Sequence, residues 1–244
     1  MRVHLITPIV TEGIRTLDDV AVLQSDELTI TQSLITTGPA SIECEFDEAM
    51  SVPGIVAEAI AAERSGADAL IIDCMGDPGL KAAREVVSIP VLGPSETSMH
   101  MAAMLGHSFS IVTVLDSVVP MLKNLAKVYG TSGKLASVRV INIPVLELEA
   151  APEKLTTELA NAALAAVEED GAHAIVLGCT GFLGCAEAIA EALKAKGHIL
   201  PVIDPIPATV CIAAATVRAG LTHSKRTYAH PRSKELRGYP AINL

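Results

Sequence analysis

Gly66-Ala67-Asp68-Ala69-Leu70-Ile71-Ile72-Asp73-Cys74 and Gly171-Ala172-His173-Ala174-Ile175-Val176-Leu177-Gly178-Cys179 are two copies of one pattern, a glycine leading through a short polar step and an apolar run to a cysteine. The copies stand 105 residues apart, as do Pro39 and Pro144. Upstream, Leu5-Ile6-Thr7 answers Ile111-Val112-Thr113 at a separation of 106. Downstream, Ile89-Pro90-Val91-Leu92-Gly93-Pro94 answers Leu200-Pro201-Val202-Ile203-Asp204-Pro205 at 111. The drift is a few residues of loop. A period of about a hundred residues marks a duplicated domain, since solenoid repeats run to only about 20–50.

Outward from this pattern, apolar β-branched runs alternate with alanine-rich stretches at helical spacing, which predicts strand–helix alternation and parallel sheets. Strands are expected over 3–10, 27–36, 69–73 and 90–92, with counterparts over 110–115, 137–143, 174–177 and 201–203. Helices are expected over 52–66 and 152–171, both closing on glycine, a common C-terminal stop. Two more, over 95–105 and 207–219, follow the fourth strands and read as crossings between halves. The fold class is therefore α/β: two pseudo-symmetric lobes, each a parallel four-stranded sheet flanked by helices, with the active site in the interlobe cleft. Residues 1–97 with 212–244 are assigned to the lobe that carries Cys74, and 98–211 to the lobe that carries Cys179. Ligands of open parallel sheets bind beyond the carboxyl ends of the strands, where both cysteines fall.

Composition sets the outer limits. Half of the 244 residues are hydrophobic, ample for two cores. No run of 18 or more apolar residues occurs, so no membrane partner is expected. The N-terminal Met1-Arg2-Val3-His4-Leu5-Ile6 runs into a strand without the features of a signal peptide, which predicts a cytoplasmic protein with reduced thiols. A net charge of −10 argues against a nucleic-acid partner. Only Lys225, Arg226, Arg232, Lys234 and Arg237 form a cationic run, read as solvated surface or subunit contact.

Five cysteines, Cys44, Cys74, Cys179, Cys185 and Cys211, are an odd number with no paired zinc-ligand spacing, so neither a disulfide framework nor a metal is expected. Cys44, Cys185 and Cys211 read as small buried hydrophobes. Cys74 and Cys179 instead precede Met75-Gly76-Asp77-Pro78-Gly79 and Thr180-Gly181-Phe182-Leu183-Gly184, turns whose glycines permit close backbone approach to a ligand. Helices starting near Gly79 and Leu183 would lower both thiol pKa values toward neutrality. Such thiols, facing each other, would flank a planar carbanion; one would remove a proton and the other return one, with no cofactor. Amides of the Met75-Gly76 and Thr180-Gly181 turns could hold the enolate oxygen. Thr7 and Thr113, at equivalent strand ends, are either substrate contacts or hydroxyls bonded to nearby backbone. Asp73 is expected to point away from Cys74, Asp77 and Glu96 are candidate orienting groups, and His100 reads as structural. Phe46, Phe182 and Met75 are candidates for a modest pocket wall.

These residues resemble the aspartate/glutamate racemase superfamily, and within it the hydantoin and allantoin racemases. The resemblance rests on Gly38-Pro39-Ala40-Ser41-Ile42-Glu43, on Cys74-Met75-Gly76-Asp77-Pro78-Gly79-Leu80 with Ala83-Arg84-Glu85, on Phe109-Ser110-Ile111-Val112-Thr113, and on Val176-Leu177-Gly178-Cys179-Thr180-Gly181. Val202-Ile203-Asp204 and Thr222-His223-Ser224-Lys225 look like the closing segments of that family. The resemblance implies cofactor-independent racemisation by Cys74 and Cys179 between two lobes, in a homo-oligomer, with Ile42, Gly76, Thr113, Thr180 and Gly181 near the substrate. Thr7 and Met75 complete the expected binding set. One departure stands out: where the hydantoin and allantoin racemases typically carry Asn-Pro-Asn-Thr-Ser after the first strand, this chain has Thr7-Pro8-Ile9-Val10-Thr11. Two amide side chains suited to a ureide ring are absent there.

The small-molecule substrate expected is a 5-substituted hydantoin or related cyclic ureide such as allantoin, because no strongly charged motif near the turns claims the carboxylate or ammonium of a free amino acid. Racemisation of a free amino acid of the aspartate/glutamate type is the alternative. A one-thiol decarboxylase or isomerase and a non-catalytic binding protein are more distant readings.

Overall fold

A computed structural model describes residues 1–242; the last two residues of the range 212–244 lie outside the described residues. The element order runs β1 (Arg2–Thr7), β2 (Thr29–Leu34), α1 (Glu45–Arg64), β3 (Ala69–Ile72), α2 (Leu80–Val86), β4 (Val91–Leu92) and α3 (Pro94–Leu105). The second half repeats it with one added helix, α4, as β5 (Phe109–Thr113), α4 (Val119–Val128), β6 (Leu135–Val140), α5 (Pro152–Glu168), β7 (Ile175–Leu177), α6 (Cys185–Ala195), β8 (Val202–Ile203) and α7 (Pro205–Arg218). Two four-stranded sheets result, in the orders β2-β1-β3-β4 and β6-β5-β7-β8. Every pairing within them is parallel. The duplication read from the cysteine pattern is thus a duplication of topology.

The central strands explain their own placement. Leu70, Ile71 and Ile72 of β3 and Ile175, Val176 and Leu177 of β7 are all without exposure, as expected of strands covered on both faces by helices, whose apolar runs do not alternate. Ile6, Leu70 and Ile72 face α1 and α2 through Ile55, Ala59 and Leu80. On the other side, Val3, Leu5 and Ile71 pack against Ile206, Val210 and Ala213 of α7. In the second half, Ile111, Val176 and Leu177 pack with Met99 and Ala102 of α3. The helix after β4 therefore covers the second sheet, and the helix after β8 covers the first. The same two helices also pack on each other, so their apolar faces tie the halves together.

The strands are shorter than expected at most ends. β1 stops at Thr7 because Pro8 has no N–H to continue a ladder, and β3 stops at Ile72, leaving Asp73 and Cys74 in the turn. α1 begins at Glu45, seven residues before the expected start, and runs through Pro53. α2 and α6 begin at Leu80 and Cys185, each after a left-handed glycine, Gly79 (φ 65°) and Gly184 (φ 69°). That conformation favours glycine.

Part of the cationic tail belongs to the first half. Lys225 Nζ donates to the carbonyls of Arg84 and Val87 at the end of α2, where cations complement the helix dipole. Arg84 Nη1 donates to Tyr228 Oη at 3.2 Å. No helix among the described residues is long and apolar enough to cross a membrane.

Candidate active site

The turns after β3 and β7 meet at one cavity, whose empty space including its mouth is about 690 Å³. Thr7, Ile42, Cys74, Met75, Gly76, Thr113, Cys179, Thr180 and Gly181 all lie on its wall. The two turns are joined directly, since Thr180 Oγ1 donates to the Asp73 carbonyl at 3.3 Å. Further out, Val145 N donates to Glu43 Oε1 at 2.7 Å and Ser117 Oγ donates to the Glu43 carbonyl at 2.6 Å. The first of these bonds joins the two thiol-bearing turns, and the other two tie the segment before α1 to the second half.

Each cysteine is closed on its own turn in the same way. Gly76 N donates to Cys74 Sγ at 3.4 Å and Gly181 N donates to Cys179 Sγ at 3.3 Å. The glycine amides therefore serve the sulfurs, and the helix N-termini expected to do so lie several residues further on. The expected fall of the thiol pKa values is overturned. Burial pushes the Cys74 thiol well above its usual value against the pull of the Gly76 amide, and Glu48, Cys179 and Asp77 push it the same way. Burial pushes Cys179 up to about 12 against the Gly181 amide, with Asp73 and Glu43 adding to the rise. Desolvation of a thiolate outweighs a single amide dipole. Both groups rest as neutral thiols.

Asp73 does not turn away from the site, as expected from strand alternation, because the strand has already ended. Asp73 is among the residues that line the cavity, with its carboxylate buried against Arg15. Oδ2 accepts from Arg15 Nε at 2.8 Å and from Thr7 Oγ1 at 3.2 Å. Burial pushes the carboxyl up, while Arg15, Thr180 and Thr7 pull it down. Arg15 also lines the cavity and donates from Nη1 to Asp19 Oδ1 at 2.7 Å. The expectation of no cationic group near the turns is corrected by this residue. It sits in the long connection between β1 and β2, where no periodicity announces burial.

The remaining candidates sort by their partners. Thr113 Oγ1 donates to the Gly178 carbonyl at 3.0 Å, so backbone satisfies it. Asp77 accepts from the amides of Ser95 (3.0 Å) and Glu96 (2.9 Å) and from Tyr129 Oη (2.7 Å). It caps α3, and burial holds its carboxyl up to about 7 against these three donors. Glu96 pairs with Arg84. Phe46 is exposed and Phe182 lies in the core, so Met75 alone of the three expected wall residues reaches the cavity. Met75 also packs into the core of the second half. Glu48 was not anticipated: its carboxyl lies where a Cβ on Gly76 would be, 1.6 Å from Oε1. Burial, with Asp77 and Glu45 adding, raises its pKa to about 8. No group of three or more His, Cys, Asp or Glu side chains suited to a metal occurs among the described residues.

Comparison with known proteins agrees with this architecture. The chain is 40% identical over 242 residues to a hydantoin racemase from Rhizobium meliloti, covering 98% of each. It is 42% identical over 202 residues to a hydantoin racemase from Pseudomonas sp. strain NS671, covering 82% of this chain and 79% of that one. The solved structure of an allantoin racemase from Klebsiella pneumoniae matches with a TM-score of 0.90 at 33% identity, covering 98% of this chain and 96% of the other. Residues 9–213 match the Asp/Glu/hydantoin racemase family. The chain belongs to that family and is a racemase, an isomerase with a duplicated parallel-sheet fold.

Proposed function

We propose that this enzyme racemises a 5-substituted hydantoin or a related cyclic ureide, with Cys74 and Cys179 as the acid/base pair on opposite sides of the exchanged carbon in the cleft between the two halves. The supporting observation is that corresponding ends of β3 and β7 deliver one thiol each to a single cavity. The other ionisable groups on its wall are Arg15 and Asp73, which bond to each other.

The reacting form carries one thiolate and one thiol. The thiolate takes the proton from the carbon beside the ring carbonyl, and the electron pair moves onto the carbonyl oxygen as an enolate. The opposite thiol then gives its proton to the other face, the electron pair returns, and that sulfur becomes the thiolate. Atoms and charge balance without a cofactor. With the Gly76 and Gly181 amides on the sulfurs, the amides of Met75 and Thr180 are the backbone donors for the enolate oxygen. Thiols that rest neutral suit a weakly acidic substrate only if the thiolate forms in a dry site, where it is a stronger base than in water.

The test is a panel: each enantiomer of several 5-substituted hydantoins, allantoin, aspartate and glutamate, followed by optical rotation. Decay of rotation with the ring substrates is expected. Decay with the amino acids alone would overturn the substrate assignment.

A further inference from the structure

The turn that carries Cys179 is anchored in its own half, and the turn that carries Cys74 is held from the other one. Three residues after Cys179 stands Phe182, which is 1% exposed and sits in the core of the second half. The corresponding residue after Cys74 is Asp77, and its partners lie across the molecule. Oδ2 accepts from Oη of Tyr129, the residue that follows α4, at 2.7 Å. The carboxylate also accepts from the Ser95 and Glu96 amides in the first turn of α3, the helix that covers the second sheet. Met75, next to Cys74, packs into the core of the second half as well. Asp77 is buried, and a bond to a charged acceptor is strongest where water is excluded. Its φ of 48° is uncommon for a residue with a side chain, and these three bonds hold it there. Burial and the neighbouring Asp77 push the Tyr129 hydroxyl above its usual value, so it stays a donor.

We propose that Tyr129 is a positioning residue for Cys74: its hydrogen bond to Asp77 sets where the Cys74 sulfur stands relative to Cys179 across the cavity. The inference rests on the two-thiol reading above and adds the group that fixes the spacing of the pair. Tyr129 is not among the residues that line the cavity, so it acts through the turn. Misplacing a reacting group by about 1 Å can cost about 10²-fold in rate. A hydroxyl on the second half therefore governs the proton transfer at Cys74. The transfer at Cys179 is left alone, because Phe182 anchors that turn independently.

Tyr129→Phe removes the hydroxyl and keeps the ring. Measured on whichever hydantoin or amino acid of the panel above is racemised fastest, it should lower kcat/KM about tenfold. The drop should be equal for both enantiomers, because mirror forms are equally stable. The deciding readout is the isotope effect on kcat/KM of substrate deuterated at the exchanged carbon. Slower transfer at Cys74 makes proton removal more rate-limiting for the enantiomer that gives its proton to Cys74, so that isotope effect should rise. For the enantiomer that gives its proton to Cys179, the return step at Cys74 becomes limiting instead, and its isotope effect should fall. Asp77→Asn, which keeps an acceptor oxygen but turns an amide N–H toward one of the three donors, should split the two effects in the same way. Ile189→Val, which trims a buried side chain of α6 and leaves this bond in place, should move neither. Unchanged kcat/KM in Tyr129→Phe overturns the inference, as does a lower rate with isotope effects that move together or not at all. Either result alongside loss of activity in Cys74→Ser would leave the two-thiol reading standing. Full activity in Cys74→Ser would remove both.

Discussion

The two cysteine turns share a topology and differ in what stands just before the thiol. In the first half the position is Asp73, whose side chain engages Arg15 and Thr7. In the second it is Gly178, where a Cβ would lie 2.7 Å from Ile111 Cγ2 and 2.8 Å from both Thr113 Cβ and the Val112 carbonyl. Thr7 accordingly bonds a carboxylate, and its counterpart Thr113 bonds backbone. Duplication supplied two thiols on one cavity, and divergence placed a buried ion pair on one side only. The electrostatics diverge in parallel. Burial raises both thiols, with Glu48 and Asp77 adding at Cys74 and Asp73 and Glu43 adding at Cys179.

Removing either thiol breaks the comparison most severely. Cys74→Ser and Cys179→Ser should each lower turnover by about 10²–10⁴-fold in a polarimetric assay, the worth of a positioned proton-transfer group. Full activity in either variant would refute the pair. Next in size are side chains added at the two glycines that flank Cys179. Gly178→Ala should cost about 1–3 kcal/mol in denaturant unfolding by overpacking against Ile111 and Thr113. Gly181→Ala, whose Cβ would meet Leu148 Cδ1 only at 3.1 Å, should cost less.

The pH profile comes third. Because both thiols are raised above their usual value, the thiolate is scarce at neutral pH, and kcat/KM should climb about tenfold per unit from pH 6 to 8. A plateau already reached at pH 7 would show thiols lowered to neutrality instead. A separate effect, on stability and not on turnover, concerns Glu48. Its folded pKa of about 8 exceeds the ordinary 4.5, so the folded state holds a proton that the unfolded chain releases. Stability contributed in this way is full below about pH 4.5 and is lost as pH rises toward 8. The melting temperature of the wild type should therefore fall relative to Glu48→Gln between pH 5 and 8, by about 2–4 °C per kcal/mol lost.

The sequence made the parallel sheets legible because Leu70-Ile71-Ile72 and Ile175-Val176-Leu177 are continuous apolar runs, and the repeat located both thiols at equivalent strand ends. What escaped it depends on packing that no local pattern encodes. Arg15 lies in an irregular segment and is buried only because Asp73 and Asp19 receive it. Asp73 was misdirected by strand alternation that ends one residue too early. The thiol pKa values were misjudged because a helix terminus was weighed without the desolvation that the assembled cavity imposes. Glu48 could have been suspected only from the glycine it crowds.

The central claim is that two sulfurs, one per face, exchange the proton. A single enantiomer of a 5-substituted hydantoin in heavy water tests it directly, with deuterium read at early conversion in both the recovered substrate and the product. The account predicts product fully deuterated at the exchanged carbon and recovered substrate still protonated, since the proton leaves to one thiol and arrives from the other. Deuterium appearing in the recovered substrate as fast as in the product, or product that keeps the original proton, would contradict it.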